Sequence, residues 1–141
     1  MGMDRVIGPL RLHHVGILVG DLDTAIARYQ ALGFPEPEIF DIADQGVRVA
    51  SFDVARGYVE ILAPTEPESG VVRYLESRGE GMHHIAYAVA DLEAALRHLD
   101  AAGFELIDRV PRTGVHGWRI AFIHPRSCVG VLTELVETDS V

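Results

Sequence analysis

A chain of 141 residues, 48% of them hydrophobic, has the size and apolar content of one compact domain. Its formal charge of −9 excludes the basic footprint of a nucleic-acid binder and gives no attraction to anionic membrane surfaces. Cys128 is the single cysteine, so no internal disulfide forms, and the expected setting is reducing and cytoplasmic. No apolar run is long enough to suggest a membrane span. All twelve cationic side chains are arginines, so an anionic ligand would have to be met by local arginine against the overall field.

Taken in order, the chain states one pattern twice. Leu12–Phe34 (LHHVGILVGDLDTAIARYQALGF) returns as Met82–Phe104 (MHHIAYAVADLEAALRHLDAAGF). Repetition at a fixed offset marks supersecondary units that bury a core together. Each copy opens on an apolar, β-branched run, His14–Val19 or His84–Val89, that suits a buried strand. Asp21 and Asp91 follow as helix N-caps, and Leu22, Ala25, Ile26, Tyr29 and Leu92, Ala95, Leu96, Leu99 make one-sided apolar stripes. Gly33 and Gly103 stand where a left-handed C-terminal cap wants glycine. Strands are expected over Ile39–Ile42, Gly46–Asp53 and Tyr58–Ala63, then Glu105–Asp108, Trp118–His124 and Val131–Val136. Turn residues make Pro111–Gly117 and His124–Gly130 loops, and Pro64–Gly70 with a short helix near Val71–Ser77 joins the halves. The order is β-α-β-β-β, twice: module one about 12–64, linker about 65–81 and module two about 82–137 of a single domain spanning 1–141. The class is α+β, with tandem modules forming a curved mixed sheet.

The second halves of the modules repeat more faintly. Tyr58-Val-Glu-Ile-Leu62 and Leu132-Thr-Glu-Leu-Val136 each set one carboxylate in the middle of an apolar strand, where glutamate is rare unless paired or coordinated. Strand residues two apart share a face, so Glu60 and Glu134 point away from their apolar neighbours. With His14 and His84 they make two pseudo-symmetric His/Glu pairs. Two neutral imidazoles and two carboxylates balance a divalent charge, and that donor mix suits Co, Mn, Ni, Zn or Fe better than Ca or Mg. His13 and His83 have the opposite parity and read as structural, while His98 reads as a surface residue.

These motifs, together with DQGV (Asp44–Val47), GVHG (Gly114–Gly117), AFIHPRS and GVLTELVE, resemble the vicinal oxygen chelate superfamily from about Leu12 to Glu137. Within it the chain is most similar to the methylmalonyl-CoA epimerase family. That resemblance implies paired βαβββ modules around one divalent transition metal held by His14, Glu60, His84 and Glu134. It implies a homodimer that acts on an acyl-CoA and removes its α-proton through a metal-stabilised enolate. It also implies a catalytic carboxylate before Gln45-Gly46-Val47, here Asp44 in place of the family's glutamate, working opposite Glu134. The shorter aspartate is the main departure from the pattern; Val129-Gly130 and Ser69-Gly70 are two others. Arg112, Arg119 and Arg126 lie in or near the loops of module two, as surface arginines or as contacts to CoA phosphates.

Two rival functions fit the same scaffold. A glyoxalase I-type lactoylglutathione lyase would use a similar set of two histidines and two carboxylates. A small-molecule binding protein without chemistry would have no need of four ligands. A ring-cleaving dioxygenase fits less well, since its iron wants two histidines and one carboxylate.

Overall fold

The computed structural model describes residues 8–138. They fall into two compact units, one running from His14 to His83, the other comprising the residues up to His13 and those from His84 onward. Among the described residues no helix is long and apolar enough to cross a membrane.

β1 (Arg11–Leu18), whose residues from His14 on belong to the first unit, leads into α1 (Leu22–Ala31), followed in that unit by β2 (Glu38–Ile42), β3 (Val47–Asp53), β4 (Tyr58–Pro64) and α2 (Gly70–Arg78). The strand order is β2-β3-β4-β1, with β1 parallel to β4 and the other pairs antiparallel. The alternation of the strands sorts their side chains. Ile17, Val19, Ala50, Phe52, Val59, Ile61 and Ala63 meet the stripe of α1, while His14, Ser51 and Glu60 take the other face. Phe52, wholly buried, is the keystone: Phe34 meets it edge-on at 5.3 Å and Tyr29 stacks at 6.2 Å. Burial of such a ring contributes about 1.5–3 kcal/mol.

The second unit repeats the plan with β5 (Gly81–Val89), α3 (Leu92–Ala101), β6 (Arg112–Thr113), β7 (Arg119–Ile123) and β8 (Thr133–Glu137). Its order is β5-β8-β7-β6, with β5 parallel to β8. Val89, Leu92, Ala95, Leu96, Ala121, Ile123 and Leu135 form its core. His84, Phe122 and Glu134 face the opposite way.

The helix ends are as the residues require. Asp21 accepts the Thr24 amide at 3.4 Å and Asp91 accepts the Ala94 amide at 3.0 Å. Gly33 and Gly103 take φ of 108° and 89°. In each Schellman closure the phenylalanine after the glycine donates its amide back to the helix, Phe34 to Tyr29 and Phe104 to Leu99.

Two expectations fail in the second unit. Glu105–Asp108 does not form a strand; only an isolated bridge joins Leu106 to Ile123. Both Ile107 and Asp108 donate their amides to the single carbonyl of Phe122, and the Asp108 carboxylate accepts the Phe122 amide. A side chain thus takes the donor that a continuing ladder needs. The partner that β7 does acquire, β6, falls inside the expected loop Pro111–Gly117.

Candidate metal centre

Each unit carries its own buried histidine–glutamate pair. In the first, His14 Nε2 lies 3.4 Å from Glu60 Oε1; in the second, His84 Nε2 lies 3.1 Å from Glu134 Oε1. The four side chains are buried, with exposures of 2% for His14, 5% for Glu60, 5% for His84 and 4% for Glu134. Strand register explains how two distant sequence positions meet. Gly16 pairs with Glu60 across β1 and β4, and Ala86 pairs with Glu134 across β5 and β8. Each histidine stands two residues before that small partner, on the same face. A glycine and an alanine leave room for imidazole and carboxylate to converge.

The chemistry of the donors fits a divalent cation. In each pair an imidazole nitrogen and a carboxylate oxygen lie within 3.4 Å of each other, the donor types that divalent metals take. Buried carboxylates are costly unless a charge compensates them, as a bound cation would.

The surroundings of the two pairs differ. Ser51 is the antiparallel neighbour of Glu60, whereas Phe122 is that of Glu134. The Phe122 ring meets the His84 ring edge-on at 5.6 Å. Register between β7 and β8 is invisible to a reading of single strands, so neither neighbour was legible in the sequence.

Asp44 lies just before β3. It sits, exposed, in a single helical turn of three residues, Ala43–Gln45, that ends on Gly46 at φ 64°. The turn is fixed by the linker: Ser69 Oγ donates to the Gln45 carbonyl at 2.9 Å and the Thr65 amide to the Gly46 carbonyl at 2.8 Å. A Cβ at Gly46 would come within 3.0 Å of Ser69 Cβ, so this approach requires glycine.

The remaining candidates are also placed. His13 is buried edge-on against Trp118, with ring centroids 4.4 Å apart, and His83 meets Tyr74 at 4.9 Å. His98 lines a small apolar cavity of about 140 Å³ beside α3, with Pro9, Tyr87 and Leu99 among its walls. Arg119 bonds Glu137 at 2.9 Å and approaches Glu93 at 3.6 Å. The hydrogen bond to Glu137 raises its already high pKa. Arg126 pairs with Glu105 at 3.1 Å. Both are therefore engaged by carboxylates within their own unit. In the GVHG turn, Gly114 lets the chain close on Ile120, whose Cδ1 would stand 2.9 Å from an added Cβ.

With this geometry established, comparison with known proteins identifies the class. The model of the glyoxalase/bleomycin resistance protein/dioxygenase superfamily matches residues 13–122, and the chain belongs to that superfamily. It is 39% identical over 128 residues to the uncharacterized Bacillus subtilis protein YqjC, covering 90% of this chain and 91% of that one. It is 37% identical to the ethylmalonyl-CoA/methylmalonyl-CoA epimerase of Cereibacter sphaeroides, covering 89% of this chain and 96% of the relative. A solved methylmalonyl-CoA epimerase in complex with methylmalonyl-CoA and NH4+ superposes with a TM-score of 0.88 at 38% identity, covering 95% of this chain and 98% of that structure.

Proposed function

We propose that this chain is a metal-dependent epimerase that interconverts (R)- and (S)-methylmalonyl-CoA. The observation that carries the reading is the duplicated, buried His/Glu pair. Similarity to methylmalonyl-CoA epimerases over nearly the whole chain supports it. In this reading His14, Glu60, His84 and Glu134 together hold one divalent transition metal, with Co, Mn, Ni, Zn and Fe all suited to the donor set. When bound, such an ion supplies a Lewis acid next to the thioester oxygen and eases loss of the α-proton. A homodimer and a cytoplasmic setting belong to the same proposal.

The rest of the task falls to the chain itself. Epimerisation takes a proton from one side of the α-carbon and returns one on the other. The C–H pair moves into the thioester carbonyl while a carboxylate accepts the proton, and a second carboxylic acid then donates to carbon from the opposite side. Glu134 is one of these groups. Asp44, in the turn that leads into β3, takes the other role. Burial of Glu134 keeps bulk water from competing for its proton.

The test is deuterium wash-in at the α-carbon of methylmalonyl-CoA in D2O with cobalt-loaded protein. Exchange is expected in the wild type, with a fall of at least about a hundredfold in Asp44→Ala at unchanged bound metal. Exchange retained in Asp44→Ala would remove that residue from the role of base. No exchange above the cobalt-only blank would overturn the epimerase, and the next substrate would be the glutathione hemithioacetal of a glyoxalase I-type lyase.

A further inference from the structure

Four arginines of the described residues lie on strands, and register sorts them. Arg11 and Arg48 have the opposite parity to His14 and Glu60, and Arg119 that opposite to Phe122. Arg112 alone shares the face of the buried ligands, because it pairs with Ile120, two residues before Phe122. Its guanidinium carbon stands 5.4 Å from the centre of the Phe122 ring, whose edge contact is His84. Asp108 orients it: one carboxylate oxygen, Oδ2, accepts the Phe122 amide at 2.8 Å and lies 3.3 Å from Arg112 Nε. A side chain ion-paired with a carboxylate and laid on an aromatic ring has a restricted direction for its terminal N–H groups. Its exposure of 31% leaves it accessible to a ligand.

Resting on the epimerase reading, we infer that Arg112 is a specificity residue that recognises the free carboxylate of the acyl-thioester substrate. A chain with a net charge of −9 repels an anionic acyl group, so a local cation on the ligand-bearing face is the feature such a substrate needs. Position favours the carboxylate over the CoA phosphates. Arg112 is one aromatic ring from His84, whereas the phosphates lie a full pantetheine arm from the thioester. Paired N–H donors in a fork match a carboxylate bidentately.

Equilibrium binding of methylmalonyl-CoA, propionyl-CoA and methylmalonyl-pantetheine to metal-loaded protein tests this without relying on turnover. Wild type is expected to prefer either methylmalonyl thioester over propionyl-CoA by about tenfold or more, as charge-assisted pairing allows. In Arg112→Gln that preference collapses for both methylmalonyl thioesters, and Arg112→Lys restores part of it. Unchanged melting temperatures show that folding is not the cause. Weakening confined to the CoA thioesters, with methylmalonyl-pantetheine unaffected, would place Arg112 on the phosphates and overturn the inference. So would a wild-type preference retained in Arg112→Gln. Wild-type protein that binds neither methylmalonyl thioester would overturn the epimerase reading itself.

Discussion

The two units are copies of one plan that have kept a buried histidine and glutamate and changed what stands around them. Both bury a histidine and a glutamate at matching strand positions, with a glycine or alanine opposite the glutamate. Beside Glu60 the third strand offers Ser51, small and polar; beside Glu134 it offers Phe122, which supports His84 and carries Arg112. The edge differs as well. In the first unit β2 is a full five-residue strand, while in the second the edge shrinks to two residues and Asp108 occupies part of the ladder. Duplication thus keeps the His/Glu pairs alike, and divergence makes their surroundings unlike.

The sharpest way to break this comparison is to remove one histidine at a time. If the copies serve one ion equally, His14→Ala and His84→Ala each weaken metal binding by more than about a hundredfold, beyond the 10–100-fold expected of an outer-shell partner. Metal content after dialysis against a graded chelator reads this directly. Two ions per wild-type chain, or one variant that keeps full affinity, would show that the halves act separately.

The next contrast concerns the neighbours. Phe122 is a large buried side chain, and Phe122→Ala should cost about 3–5 kcal/mol through lost burial and the cavity left behind. Ser51→Ala, at the equivalent position, should cost less than about 1.5 kcal/mol, since one hydroxyl is lost and little volume. Urea unfolding of both variants at one pH measures the difference. Equal losses would mean that Phe122 is no more than filler and that the asymmetry lies elsewhere.

How much of this was legible in the sequence follows from what is local. Asp21 and Asp91, Gly33 and Gly103, and the apolar stripes act within one turn of chain, so pattern alone placed both helices and their ends. The His/Glu positions emerged because the repeat doubled a signal that is weak when single. Glu105–Asp108 misled because its fate is decided by Asp108 reaching a strand fourteen residues away. Arg112 sat in a segment read as loop, and the face it occupies is set by pairing with Ile120, which no local pattern reveals. Asp44 was suggested by likeness, because a turn aspartate before a glycine carries no chemical signal of its own.

The smallest expected effect sits at the helix caps, where the two modules differ by one hydroxyl. Asp21 accepts both the Thr24 amide and the Thr24 Oγ1 hydroxyl, the latter at 2.9 Å, while its counterpart Asp91 faces Ala94, which has only an amide to give. The hydroxyl is the main reason that the Asp21 carboxyl is held below its ordinary value of 3.8. A carboxyl with a lowered folded pKa contributes stability above its unfolded pKa and loses it as pH falls through the folded one. Replacing Asp21 with Asn should therefore lower the melting temperature slightly at pH 6–7, by an amount that shrinks below about pH 4. Thr24→Val, which makes the first cap resemble the second, should remove most of that pH dependence while leaving the amide bond in place. Melting curves from pH 7 to pH 3 would detect it, and a Thr24→Val profile parallel to wild type would show that the amide, shared by both modules, sets the acid sensitivity of this cap.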